Sequence, residues 1–112
     1  MSGRSLVEAF WRDVIDARDP VAVDALAALN YRQHAPGIAQ GLEGLKTFLR
    51  NTFDVSDGMR AEMTDALEVD DLVTCRTTIR FDRPPDGWAA EHPIADVFRT
   101  DGARLTEHWD LR

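Results

Sequence analysis

Three side chains near the C-terminus carry the chemistry this sequence offers: Asp96, His108 and Asp110, in the stretch IADVFRTDGARLTEHWDLR at residues 94–112. Carboxylates and an imidazole can take up, hold and return protons near neutral pH, so a cluster of them is equipment for general acid–base catalysis. Whether they cluster depends on the turn at Asp101 and Gly102. A two-residue loop sets Thr100 against Ala103 and Asp96 beside Glu107, on the face opposite Asp110. A three-residue loop with a bulge sets Thr100 against Arg104, pairs Asp96 with His108, and brings Asp110 next on the same face. A slip of one residue turns every side chain over. Apolar alternation favours the second register. Ala95, Val97, Leu105, Trp109 and Leu111 then share one face, interrupted by Arg99 and Glu107, while Ile94, Asp96, Phe98, Thr106, His108 and Asp110 share the other. Taken singly, an Asp or a His is an ordinary surface residue. As a set beside Phe98 and Trp109, they point to a ligand pocket.

A second group is Tyr31, Gln33 and His34, just before the breakers Pro36 and Gly37. In a loop at a cavity mouth, Tyr31 and His34 would hydrogen-bond a ligand oxygen. Phe98 and Trp88 would supply apolar walls. Other chemistries find less support. Arg80, Phe81 and Asp82 place an Arg beside an Asp, and with Asp110 as second carboxylate they could position a water for epoxide opening; charges flanking the turn at Arg83, Pro84 and Pro85 read better as a solvated strand end. His34, His92 and His108 lack the spacing of a metal site, so no metal is expected. There is no glycine-rich phosphate loop and no serine elbow, and no cofactor is expected. Lys46 is the only lysine, hence the only Schiff-base candidate, and it falls on a helix pattern.

Positioning these groups requires a single domain, residues 1–112, whose length suffices for one core. Hydrophobic residues make up 44% and charged residues 29%, as in soluble globular proteins. The net charge of -7 argues against nucleic acid, whose phosphates need a basic surface. One cysteine, Cys75, rules out an internal disulfide framework and reads as a small buried residue. No run approaches the roughly 18 apolar residues of a membrane span, and the acidic N-terminus does not resemble a signal peptide, so a cytoplasmic location is expected. Residues 5–18 read as an amphipathic helix with Ser5 as cap and Glu8 completing a capping box. Asp19 and Pro20 open a second helix over residues 20–29, residues 30–40 are irregular, and residues 42–53 form a third helix. Residues 60–69 and 72–82 read as strands, followed by one ending near Thr100 and a last one. Helices followed by strands give a segregated α+β architecture: three helices on a curved antiparallel sheet. The apolar side chains Val97, Leu105, Trp109 and Leu111 on the outer face would suit a homodimer through the sheet.

Two blocks carry a family resemblance. Tyr31-Arg32-Gln33-His34-Ala35-Pro36-Gly37, with Gly41-Leu42-Glu43-Gly44-Leu45-Lys46-Thr47-Phe48-Leu49 after it, resembles one segment of SnoaL-like proteins. Asp96-Val97-Phe98-Arg99, followed by Leu105-Thr106-Glu107-His108-Trp109-Asp110, resembles their C-terminal segment, in the family's order. The resemblance implies a nuclear transport factor 2-like, cystatin-like fold: a cone-shaped α+β barrel with a deep pocket, usually dimeric through the sheet. It implies polyketide cyclase chemistry, an intramolecular aldol condensation, with an acid/base Asp on the last strand that matches Asp110. More distant relatives include ketosteroid isomerase, limonene epoxide hydrolase and non-catalytic modules. A supporting His on the preceding strand falls, by spacing, at Asp96, so this chain departs from the family there, and two carboxylates at that place would repel. The expected ligand is a small hydrophobic carbonyl compound, with His108 or Asp96 tuning Asp110.

Overall fold

A computed structural model describes residues 2–111. Helix α1, Gly3–Ala9, is capped by Ser2, whose hydroxyl accepts from the Ser5 amide at 3.1 Å. The cap therefore lies three residues before the expected Ser5, and Glu8 pairs with Arg4 at 3.5 Å instead of closing a capping box. The helix continues over Phe10–Asp16 in wider turns, with Ala17 N bonding Arg12 O. This i→i+5 pattern is typical of π-helical turns. Phe10 and Trp11 are both buried there, as Leu6 and Val7 are in the regular turns before them.

The expected second helix shrinks to one 3₁₀ stretch, Pro20–Ala25, with Pro20 in the first turn. The chain then forms β1, Ala27–His34, in place of the expected helix end and irregular segment. The sequence hides this strand because its pairing is broken. It runs parallel to the last strand through Ala27↔Leu105 and again through Arg32↔Glu107, Gln33↔His108 and His34↔Trp109, with an irregularity between that exposes Leu29. Only residues 31–34 show a strand's alternation.

Helix α2, Gly41–Asp54, matches the expected third helix and buries Leu42, Leu45, Leu49 and Phe53. Four more strands follow: β2 (Arg60–Val69), β3 (Leu72–Arg80), β4 (Glu91–Thr100) and β5 (Leu105–Asp110). The sheet order is β1-β5-β4-β3-β2, antiparallel except for the β1–β5 pair. Five strands thus replace the expected four, and the α+β class with helices on one face of a curved sheet stands. The core lies between that face and the helices, around Leu6, Val14, Val23, Val73 and Phe98.

The hairpin between β4 and β5 departs from both expected registers. Four residues, 101–104, make the loop, and Thr100 faces Leu105. Asp101 stops the chain from turning sooner: its carboxylate accepts from the Ala103 and Arg104 amides at 2.9 and 2.8 Å, and Gly102 takes φ 94°, a conformation that favours glycine. Those two amides also hold the Asp101 carboxyl below its ordinary value. A bulge then follows, because Arg99 faces Glu107 while Thr100 faces Leu105, leaving Thr106 over. The bulge turns Leu105 into the core, where it is 1% exposed, rather than onto the outer face. Beyond it, Phe98 faces His108 and Asp96 faces Asp110. Asp96 is therefore opposite Asp110 and not His108, while all three keep the expected common face.

Candidate active site

The inner face of β4 and β5 meets the first helix and α2 around a cavity of about 140 Å³. Its apolar walls include Phe10, Trp11, Ile15, Phe48, Leu49 and Ile79, and its polar end is made by Tyr31, Gln33, Asp96, His108 and Asp110. Asp110 and Asp96 are cross-strand neighbours at a pair that exchanges no backbone hydrogen bonds, since Leu111 N bonds Ala95 O instead. Such pairs bring side chains closest together.

Asp96 is 2% exposed. Its Oδ1 accepts from His108 Nε2 at 2.7 Å, and its Oδ2 is buried with no hydrogen-bond partner among the described residues. A buried carboxylate oxygen left unsatisfied is costly, and such atoms mark places where a fold gives up stability for function. The His108 ring stacks on Phe98 with centroids 4.5 Å apart, and Phe98 in turn lies edge-on to Trp11 at 6.0 Å. His108 Nδ1 lies 2.5 Å from Gln33 Nε2, and the Gln33 Oε1 accepts from the Tyr31 hydroxyl. Gln40 fixes the backbone of Gln33 by bonding both its N–H and its carbonyl. A chain of four side chains on β1, β5 and β4 thus ends at the carboxylate.

Burial, reinforced by the charge of Asp96, pushes the Tyr31 hydroxyl well above its ordinary range, so Tyr31 stays a donor. The same two causes push the Cys75 thiol up to about 12. Cys75 is a core residue, as expected. The Trp11 indole N–H sits beside that thiol but makes no hydrogen bond of adequate geometry.

Trp88 stands at the cavity mouth, edge-on to Phe81 at 6.0 Å and 42% exposed. Outside it runs a broad cleft of about 720 Å³, lined by Arg76, Trp88, His92, Pro93 and Leu111. Asp110, like Trp88, His92 and Ile94, borders both spaces.

Of the residues singled out from the sequence, Asp96, His108, Asp110, Tyr31, Phe98 and Trp88 converge on this cavity. His34 does not. Alternation along β1 sends it to the outer face, where it stacks on Trp109 at 5.3 Å and meets Glu107 at 2.5 Å. Glu107 also contacts Arg99, which pairs with Asp71 at 2.6 Å and covers Trp109. The outer face is consequently more polar than expected. Arg80 likewise points outward to Glu62 and Glu91, and Asp82 pairs with Arg60, so the arrangement suited to epoxide opening does not form around Asp110. With His34 and His108 on opposite faces, the histidines do not gather, and no group of three or more metal-ligating side chains occurs among the described residues. Lys46 is held by Asp24 at 2.9 Å and by Glu43, which raise its ammonium above the ordinary value and keep it charged rather than nucleophilic. Gln33, grouped with Tyr31 and His34 in the sequence, lines the cavity, whereas Trp11 is a site residue that nothing in the sequence marks. Once residues 31–34 are read as a strand, parity puts Tyr31 and Gln33 together and His34 apart.

A curved sheet closed by helices over an apolar cavity, with acid–base groups at one end, defines the cone-shaped α+β pocket proteins. This chain belongs to the SnoaL-like domain family, whose model matches residues 7–108. Among solved structures it is similar to IdmH, a candidate polyketide cyclase from Streptomyces antibioticus, with a TM-score of 0.84 and 21% identity over 99% of this chain and 91% of that one. An uncharacterised cystatin-fold protein from Novosphingobium aromaticivorans is similar at TM-score 0.81 and 20% identity, covering 100% and 99% of the two chains. An epoxide hydrolase from M. tuberculosis, of limonene-epoxide-hydrolase-like type, is similar at 0.73 and 20%, covering 95% and 78%. At such identities the likeness carries the fold and not the reaction. The sequence matches none of the curated proteins. No helix among the described residues is long and apolar enough to cross a membrane.

Proposed function

We propose that this protein is an acid–base enzyme acting on a small, largely hydrophobic carbonyl compound, of the aldol-condensing cyclase, isomerase or lyase type, with Asp110 as the base. The observation that carries this reading is a pair of facing carboxylates, Asp96 and Asp110, at the polar end of an otherwise apolar cavity. Proton abstraction next to a carbonyl needs a carboxylate within reach of the carbon, a donor for the developing oxyanion, and little water. Asp110, at the junction of cleft and cavity, would take the proton. The electron pair would move into the enolate, whose oxygen would meet the indole N–H of Trp11, which has no hydrogen-bond partner among the described residues. The proton then returns to a neighbouring carbon in an isomerisation. In an aldol condensation the enolate carbon attacks a second carbonyl, and the proton goes to the new alkoxide. Asp96, anchored by His108 through one oxygen, keeps its other oxygen to accept from a ligand hydroxyl.

The volume favours compact ligands, since typical sites run to about 300–1,000 Å³. That same volume supports a second reading, a non-catalytic module that binds a compact ligand. Exchange of α-protons in deuterium oxide, followed by proton NMR over a panel of small cyclic ketones and 1,3-diketones, separates the two. Asp110→Asn should slow exchange at least about a hundredfold, the lower range for general acid–base groups, while Asp96→Asn keeps part of it. Binding without exchange would favour the module. Full activity in Asp110→Asn would end the assignment of the base. A homodimer through the outer sheet face is proposed alongside, with Val97 and Trp109 at its centre and no role for Leu105.

A further inference from the structure

We propose that Gln33 is a positioning residue that sets the charge of His108, holding the ring neutral with its single proton on Nε2. Each bond of the side-chain network fixes the polarity of the next. At 2.7 Å from an Asp96 oxygen, His108 Nε2 must carry a hydrogen, because a bare nitrogen would set a lone pair against an anion. At the other side of the ring, Nδ1 faces the amide nitrogen of Gln33 at 2.5 Å. That nitrogen is a donor only, so Nδ1 accepts, and the ring is neutral. The amide is not free to turn. Its oxygen takes the Tyr31 hydroxyl proton, Gln33 is 1% exposed, and Gln40 pins its backbone. Doubly protonated His108 would demand the reverse polarity: Gln33 oxygen toward Nδ1 and Gln33 nitrogen toward Tyr31, with the Tyr31 hydroxyl proton taken away from the amide oxygen that receives it.

The charged and titratable groups around the ring are Asp96 on β4, Asp110 two residues further on β5, Tyr31 on β1, and Cys75 on β3 beside Asp96. The first helix contributes only Phe10, Trp11 and Ile15 to the cavity wall, none of which ionises. With both nitrogens engaged, His108 is a clamp that orients Asp96, and proton transfer falls to the carboxylates. The neutral ring is a property of the ligand-free protein, whether or not that protein is a catalyst, so it can fail while the proposed reaction survives, and the reverse.

The test is nitrogen-15 NMR of histidine-labelled protein at pH 7.5, with His34→Gln and His92→Gln used to assign the His108 signals. The wild type should show His108 with Nδ1 unprotonated and Nε2 protonated. Gln33→Glu, which replaces the donor by an acceptor of the same shape, should give a ring protonated at both nitrogens. Gln33→Met preserves the packing and should shift Nδ1 to the position of a nitrogen without a hydrogen bond. Tyr31→Phe removes the group that fixes the amide and should raise the doubly protonated fraction, which keeps the proposal testable if the buried Glu prevents folding. A doubly protonated His108 in the wild type, a proton on Nδ1 alone, or folded variants with wild-type His108 signals would each overturn it.

Discussion

Phe98→Ala probes the joint between core and site. The ring is 1% exposed, stacked on His108 at 4.5 Å and packed against Phe10 and Trp11 at 5.9 and 6.0 Å. Removing a buried phenylalanine costs about 3–5 kcal/mol, lost transfer energy plus the void left behind. A domain of this length is stable by only about 5–15 kcal/mol. The substitution should leave it folded near 20 °C with a much reduced reserve. At about 4 °C per kcal/mol for a domain of this size, the melting temperature should fall by about 12–20 °C in a thermal scan followed by circular dichroism. The void would be lined by Phe10, Trp11 and the His108 ring and would enlarge the apolar-walled cavity of about 140 Å³ already present, so benzene should raise the variant's melting temperature by more than it raises the wild type's. A loss below about 5 °C, or a response to benzene no larger than the wild type's, would refute the packing of the ring between the first helix and His108.

The buried neutral thiol of Cys75, pushed to about 12 from an ordinary 9.0, makes stability pH-dependent in a definite direction. Its contribution is intact below pH 9 and is lost as the pH climbs toward 12, because the unfolded chain releases a proton that the folded chain keeps. Denaturant titrations should show a decline of up to about 1.4 kcal/mol per pH unit in that window, part of which Cys75→Ala removes; an unchanged slope in the variant would count against the burial. The thiol should also resist a disulfide reagent in the folded protein and react once urea unfolds it. Sedimentation at micromolar concentration should give about twice 12.6 kDa for the proposed homodimer, and Trp109→Glu on the outer face should halve that mass; a monomeric wild type would refute the interface.

The fold class and most of the cavity's polar residues are legible in the chain because local patterns encode them. Apolar residues at helical spacing mark α2, and alternation marks β3 and β4. Parity along β4 and β5 leaves only two choices of face, and apolar alternation picks the one that brings Asp96, His108 and Asp110 together. What tertiary structure decides lies where pairing is irregular. The Asp101 loop is longer than a tight turn, and the bulge at Thr106 compensates for it. That combination keeps the face, sets Asp96 opposite Asp110 rather than His108, and turns Leu105 inward. Strand β1 is invisible in the sequence because its partner, β5, lies more than seventy residues away and an irregularity interrupts the ladder. Local propensity does not report a pairing that only a distant strand supplies, and with β1 unread, His34 falls on the wrong side of the sheet. The chain from Tyr31 to Asp96 likewise exists only once β1 lies beside β5, because its bond from Gln33 to His108 joins residues 75 apart in the linear sequence.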